Sequence, residues 1–183
     1  MSKTINNNLQ IEYEEKGSKF LCFAFPFDNE KDISDKIKQI GEQHSKAKHV
    51  LYVFRTSSGK EGACEDREPI TSCHRALAIL KAKNIEDVLV VMVRYFGGTL
   101  LGASHLDKLY FSLIFKLLDD SNLEEKKQYY FFEGKIKNIF LKKLEKAVLD
   151  EGGFILDKEF EGPYVKVKFK SLKEESEAYK LLI

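Results

Sequence analysis

The stretch Val88-Leu-Val-Val-Met-Val93, followed directly by Arg94-Tyr-Phe-Gly-Gly-Thr-Leu-Leu-Gly102, decides the fold of the first part of the chain. A continuous apolar run of this length is typical of a strand that is covered on both faces. After the glycine loop, Ser104 can cap a helix that carries apolar residues at helical spacing as far as Leu117. A central strand, a tight crossover loop and a helix are therefore predicted here.

Hydrophobic periodicity predicts further elements on both sides of this stretch. The patterns favour strands at Leu9 to Glu15, Ser18 to Phe27 and His49 to Arg55, and helices at about Asn29 to Gly41 and Ile70 to Ala82. After residue 127 they favour strands at Gln128 to Gly134, Phe154 to Phe160 and Tyr164 to Phe169, with helices at Ile136 to Leu149 and Lys173 to Leu182. Helices and strands thus mix along the chain, which predicts the α+β class.

Two domains are expected, one over residues 1–122 and one over residues 127–183. The polar connection from Asp119 to Lys127 reads as the linker between them. The second domain has the order β-α-β-β-α, which is that of a ferredoxin-like domain without its last strand. A missing last strand leaves a sheet edge open, and such an edge could be covered by another chain.

Composition excludes several classes of protein. Lysine and arginine number 30 against 29 aspartate and glutamate, so the net charge of +1 gives no overall case for a nucleic-acid partner, and any basic patch must be local. No apolar run approaches the length of a membrane span, and the first residues lack a signal peptide, so a cytoplasmic protein without a membrane partner is expected. Cys22, Cys64 and Cys73 lack metal-site spacing, and no cofactor or metal ion is expected.

A local basic cluster is the first candidate site. Its members, in the first helix and the strand after it, are Lys36, Lys38, Lys46, Lys48, His49, Arg55 and Lys60. Together they could form a face that binds nucleic acid through its phosphates. The alternative is an ordinary solvated helix, in which Asp32, Asp35 and Glu42 offset part of the charge.

The loop after the central strand is the second candidate site. Gly97 and Gly98 allow backbone N–H groups to approach a ligand closely, the N-terminus of the following helix would favour an anion, and Arg94 could pair with a phosphate or a carboxylate. Tyr95 and Phe96 could stack on bases, or they could belong to the core. The alternative is a tight crossover in which both glycines only supply positive φ angles. The loop is neither a P-loop nor a dinucleotide fingerprint.

A third candidate site is acidic. Asp66 and Glu68 stand just before a predicted helix, where they could act as acid and base, bind a cation, or cap the helix. Because no third carboxylate or suitably spaced histidine accompanies them, capping is the simpler interpretation.

Several segments together resemble one family, the YigZ/IMPACT family. They are Lys16-Gly-Ser-Lys-Phe20, Ala47-Lys-His49, Asp66-Arg-Glu-Pro69 and Arg94-Tyr-Phe-Gly-Gly-Thr-Leu-Leu-Gly102, with Leu106, Lys108 and Tyr110. The resemblance implies an N-terminal domain with the fold of ribosomal protein S five domain two, and a ferredoxin-like C-terminal domain similar to the last domain of elongation factor G. It also implies a role near RNA or the ribosome, because eukaryotic relatives regulate translation through a starvation-responsive kinase pathway.

The chain departs from the family pattern where relatives have a glycine-rich stretch. Between Asp66 and Ala76, four residues replace Gly, Gly, Gly and Pro of that pattern, namely Arg67, Thr71, His74 and Ala76. Farther on, Ser104-His105 replaces a Gly-Gly pair. Side chains therefore occupy positions where the relatives offer bare backbone.

The resemblance and the basic cluster together predict a non-enzymatic, cytoplasmic regulator of translation that associates with nucleic acid or the ribosome. One alternative is an enzyme or binding protein for a small anionic or phosphorylated ligand at Arg94 to Gly98. Another is a module that binds a protein partner through the open sheet edge of the second domain.

Overall fold

Residues 2–183 are described by a computed structural model, in which the chain divides into two units, Met1–Lys126 and Lys127–Ile183. The strands of the first unit are β1 (Lys3–Thr4), β2 (Leu9–Glu15), β3 (Ser18–Pro26), β4 (His49–Arg55), β5 (Glu61–Cys64), β6 (Val88–Tyr95) and β7 (Glu124–Glu125). Its helices are α1 (Lys31–Gln43), α2 (Ser72–Ala82) and α3 (Ala103–Leu117).

The main sheet of the first unit has the order β2-β3-β6-β4-β5, and all neighbouring strands are antiparallel. Strand β6 lies in the centre, as its apolar run predicts. Its side chains alternate between two cores, because successive residues of a strand point to opposite faces. Val88, Val90 and Met92 pack with buried residues of α2 and α3, whereas Leu89 and Val91 pack with those of α1. Both faces of β6 are therefore covered.

Several boundaries differ from those that periodicity predicts. Strand β5 was not expected, because its sequence Glu-Gly-Ala-Cys lacks the β-branched and aromatic residues that mark strands. Helix α3 has Gly102 at its N-cap, so Ser104 lies within the first turn and does not cap it. The connection from Asp119 to Lys127 contains a 3-10 turn and strand β7, which pairs with β1. As far as Lys126, this connection is thus an ordered part of the first unit, and Lys127 begins the second.

The second unit contains β8 (Tyr130–Lys137), α4 (Leu141–Asp150), β9 (Phe154–Glu161) and β10 (Tyr164–Ser171). Its sheet is antiparallel with the order β8-β10-β9. The core joins one face of this sheet to α4 and consists of Ile136, Leu144, Val148, Val165, Val167, Phe169 and Ala178. Mixed helix and sheet in both units confirms the α+β class.

The helix predicted from Lys173 to Leu182 is wrong, because only a 3-10 turn at Tyr179–Leu181 forms there. The buried carboxylate of Glu151 accepts hydrogen bonds from the hydroxyls of Ser171 and Ser176, both at 2.7 Å, and from the N–H of Ala178 at 3.1 Å. These bonds fix the segment in an irregular conformation. Hydrophobic spacing alone does not reveal such a polar anchor.

Candidate functional site

A cleft of about 380 Å³ opens in the first unit where β4 begins and β6 ends. The antiparallel register pairs His49 with Arg94, so the start of one strand lies beside the end of the other. The N-terminus of α3 and the turn before α2 complete the walls. The residues that line the cleft are Lys48, His49, Arg67, Glu68, Pro69, Arg94, Phe96, Leu100, Leu101, Gly102, Ala103 and Leu106.

Arg94 and Glu68 form a buried ion pair at the base of the cleft. The Nη1 atom of Arg94 lies 2.6 Å from Oε1 of Glu68, and only 5% and 4% of the two side chains are exposed. The carboxylate that pairs with Arg94 is therefore part of the protein itself. The Nε atom of Arg94 is buried as well, and it has no hydrogen-bond partner.

Glu68 also binds two further side chains. Nε2 of His49 lies 3.3 Å from Oε1 of Glu68, and the hydroxyl of Tyr110 donates to the same oxygen at 3.5 Å. Burial raises the pKa of Tyr110, and the neighbouring Glu68 carboxylate raises it further. The phenol therefore stays protonated and acts as a donor, so Glu68 ties α3 to strands β4 and β6.

Asp66 holds the turn before α2 against β4. Its Oδ2 accepts the N–H of Val50 at 2.8 Å, and its carbonyl oxygen lies 3.0 Å from Nδ1 of His49. Both predicted acidic residues thus bind groups of the chain itself, and neither caps α2. Glu65 does so instead, by accepting the N–H groups of Cys73 and His74. Within residues 2–183, no three His, Cys, Asp or Glu side chains are grouped so that they could hold a metal ion.

Arg67 adopts a backbone conformation that favours glycine. Its φ is 62°, and that of Asp66 is 45°, so two successive non-glycine residues adopt the left-handed backbone conformation. A glycine at position 67 in the family pattern would meet this requirement without strain. In this chain the turn is kept and an exposed guanidinium is added at the mouth of the cleft.

The two loop glycines have different roles. A Cβ atom on Gly97 would lie 1.9 Å from the carbonyl carbon of Gly17, so Gly97 is needed for the close approach of two loops of the same chain. Its N–H donates to Oγ of Ser18 at 3.2 Å and is not free for a ligand. Gly98 has a φ of 83° and open space around it, so it serves the turn.

Tyr95 and Phe96 point to opposite sides of the sheet. Tyr95 packs in the α1 core, and its hydroxyl lies 2.8 Å from Nδ1 of His44, which removes it from the cleft. Phe96 lines the cleft with 38% of its surface exposed. The Nζ atom of Lys48 lies 4.7 Å from the centre of the Phe96 ring, which is a cation–π contact.

The predicted basic cluster does not stay together. Arg55 lies at the far end of β4 from His49, where its guanidinium donates to the carbonyl oxygens of Leu80 and Ile85. Lys46 is exposed in the connection before β4 and does not line the cleft. Of the basic residues that the sequence groups together, only Lys48 and His49 reach the cleft.

Sequence reasoning missed three contributors to this site. Arg67 reaches the cleft mouth, Tyr110 binds Glu68, and Leu100, which is 82% exposed, lies at the rim. Tyr110 stands among the apolar residues of a helix pattern, where nothing distinguishes it from core. The departure of Arg67 from the family pattern was the one available signal, since a single exposed leucine is normal on a protein surface.

None of the helices in residues 2–183 is long and apolar enough to cross a bilayer.

Comparison with known proteins agrees with the resemblance noted from the motifs. The family model described as the Impact N-terminal domain matches residues 16–118, which include every residue that lines the cleft.

Two curated relatives and one solved structure are similar to this chain. IMPACT family member YvyE of Bacillus subtilis is 30% identical over 142 residues, which cover 76% of this chain and 65% of YvyE. An IMPACT family member of Haemophilus influenzae is 29% identical over 105 residues, which cover 55% of this chain and 51% of that protein. The chain thus spans less than two thirds of the length of either relative.

A crystal structure described as that of a hypothetical protein has a TM-score of 0.64 with 20% sequence identity, covering 93% of this chain and 84% of that chain. This likeness concerns the fold alone. The family model covers more than half of the chain, and the curated relatives carry the same family name. The chain belongs to the YigZ/IMPACT family.

Proposed function

We propose that this protein is a cytoplasmic, non-enzymatic regulator of translation that binds single-stranded RNA, free or within the ribosome, at the cleft. Membership of the family supports the link to translation, as the resemblance implies. One observation carries the RNA proposal, which is that two exposed cations and an exposed aromatic ring meet at the mouth of one cleft. They are Lys48, Arg67 and Phe96.

These three side chains match the needs of a single-stranded nucleic acid. A base can stack on an exposed aromatic ring whatever its sequence, and lysine and arginine bind the phosphates on either side. The Nζ atom of Lys48 lies over the Phe96 ring in the free protein, so a base that stacks on this face takes the place of the ammonium, which then lies close enough to bind the adjacent phosphate. Leu100 adds an exposed apolar contact at the same rim.

The internal bonds of the cleft residues support binding rather than acid–base catalysis. Glu68 is shared among Arg94, His49 and Tyr110, and the Asp66 carboxylate accepts a backbone N–H of β4. A general acid or base must reach a substrate proton. Groups that already bind one another serve instead to keep the cleft walls in place.

The test is RNA affinity as a function of salt. Fluorescence anisotropy with a short unstructured RNA is expected to give a log–log slope that becomes shallower by about 0.7 when Lys48→Met removes one phosphate contact. Arg67→Met is expected to do the same. Lys38→Met is the matched control, because Lys38 is also an exposed lysine, lies on α1 and does not line the cleft.

Phe96→Leu separates stacking from charge. It should weaken RNA binding at every salt concentration without changing the slope, because the ring carries no charge. The proposal is wrong if affinity does not depend on salt, or if Lys38→Met lowers the affinity as much as Lys48→Met.

A further inference from the structure

We infer that the N-terminus of α3 forms, inside the cleft, a binding site for one phosphate group of the monoester class. The site depends on the proposed function only for the source of that phosphate, which is either the end of an RNA chain or a small phosphorylated molecule. It lies at Gly102 and Ala103, and not at the glycine pair of the preceding loop, whose Gly97 N–H already binds Ser18.

Helix α3 presents unbonded N–H groups to the cleft. The first four N–H groups of a helix have no partner within it unless a cap provides one, and they attract anions. Gly102 at the N-cap has no side chain that could bond to them, and no acidic residue occurs in the first turn. Gly102 and Ala103 both line the cleft and are exposed, so a ligand can reach this helix end.

The other long helix on the same face of the sheet shows the contrast. The N–H groups of Cys73 and His74 at the start of α2 are taken by Glu65, and the N–H of Thr71 is taken by Asp107 at 2.8 Å. That helix end has carboxylates of the chain as its anions. The N–H groups at the start of α3 have no such carboxylate as a partner.

Arg94 provides the second, independent observation. Its side chain is 95% buried and lines the same cleft as Gly102, and its Nε–H has no hydrogen-bond partner. A buried guanidinium N–H without an acceptor is costly, and native structures rarely keep one unless a ligand or water supplies the acceptor. A phosphate oxygen at the end of α3 would supply it.

The charges of the cleft match a dianion. Its charged lining residues are the cations Lys48, Arg67 and Arg94 and the single carboxylate Glu68, which gives a formal charge of +2. Arg94 and His49 already contact the Glu68 carboxylate, so its negative charge is offset by groups of the protein itself. A phosphate monoester carries close to two negative charges at neutral pH, whereas a diester carries one. We therefore favour the monoester.

The direct test is thermal unfolding of the full chain with inorganic phosphate as the probe. At about 10 mM phosphate, Tm is expected to rise by roughly 2–6 °C relative to sodium chloride of equal ionic strength. Ala103→Asp places a carboxylate in the first turn of α3, so this variant should be more stable without phosphate and should lose the phosphate-dependent rise. Ala103→Asn is the matched neutral control and should keep it.

The proposal is overturned if phosphate gives no rise in the native protein, or if Ala103→Asp and Ala103→Asn respond equally. A second arm compares one RNA with a 5′-phosphate and with a 5′-hydroxyl end. A preference for the phosphorylated end that Ala103→Asp abolishes identifies RNA as the source of the phosphate. If the native protein binds neither RNA while inorganic phosphate still raises its Tm, the proposed function is refuted. The phosphate site is then assigned to a small phosphorylated molecule.

Discussion

Arg67 combines an unfavourable backbone conformation with a useful charge. At a φ of 62° an L-residue with a Cβ is strained, whereas glycine is not. We expect Arg67→Gly to have a free energy of unfolding about 1 kcal/mol higher than Arg67→Ala, because both variants lose the charge and only one relieves the strain. Denaturant unfolding measures the difference, and equal stabilities would show that the turn is not strained.

The two glycines of the loop should respond differently to alanine. Gly97→Ala places a Cβ 1.9 Å from a backbone atom of Gly17, so we expect a loss of about 3 kcal/mol or more in the free energy of unfolding. Gly98→Ala meets no atom within 4 Å and is strained only by its φ of 83°, which predicts a loss of about 1 kcal/mol. Similar losses for both variants would contradict the assignment of contact to one and conformation to the other.

Sequence reasoning named several residues that line the cleft, but it did not reveal the contacts that these residues make. Arg94, Glu68 and Gly97 were all singled out, with a ligand contact, helix capping or a simple crossover as the alternatives, but the ion pair of Arg94 with Glu68 and the bond of Gly97 to Ser18 were not foreseen. Spacing along the chain does not show that β4 brings His49 beside Arg94, since strand order is a long-range property. Arg55 was grouped with His49 for the same reason, although the length of the strand separates them.

The Arg94–Glu68 pair connects strand β6 to the turn before α2. Removing one partner of a buried pair leaves an uncompensated charge, so Glu68→Gln and Arg94→Met are each expected to lower the free energy of unfolding by about 3 kcal/mol. The double variant should lose less than the sum of the two, because neither charge is then left alone. A double-mutant cycle in urea gives the coupling, and strictly additive losses would argue against the pair.

Glu151 makes the junction of α4 and β10 sensitive to acid. Burial acts to raise its pKa, but hydrogen bonds from Ser176, Ser171 and Ala178 outweigh this effect and hold the pKa below its usual range. A carboxyl whose pKa is depressed by folding stabilises the protein above its unfolded pKa, and this contribution is lost as pH falls through the folded pKa. Below about pH 4, we expect faster hydrogen exchange at the β10 amides.

The control for this prediction is Glu151→Gln, which cannot titrate. It should be less stable at neutral pH by about 1–3 kcal/mol, because an amide cannot accept all the bonds of a carboxylate. The difference from the native protein should shrink toward pH 3. A constant difference at all pH values would show that the ionised carboxylate is not what stabilises the junction.

Elements with a strong apolar period were the most predictable. Strand β6 and helix α3 follow from their apolar residues alone, because each buries a full face or more. The segment after Ser171 was misassigned, since its conformation depends on Glu151, far away in sequence and polar. Strands β1 and β7 hold two residues each, too few for any period to show.

The boundary between the two units can be tested by truncation. Residues after 122 contribute β7, the bond from the Lys126 N–H to the Ser2 carbonyl at 2.8 Å, and an ion pair between Lys126 and Asp87. We expect a chain of residues 1–126 to be more stable than one of residues 1–122 by about 1–2 kcal/mol. Equal denaturation midpoints would place the boundary at 122.

The contact between Gly97 and the Lys16-Gly17 turn joins positions about eighty residues apart, and it requires glycine whether or not anything binds nearby. A relative that had lost its ligand would still need this glycine to fold. The Arg94 to Gly98 segment therefore marks ancestry and says little about present activity. The proposed ligand contacts are better judged from the side chains at positions 67 and 103, which line the cleft itself.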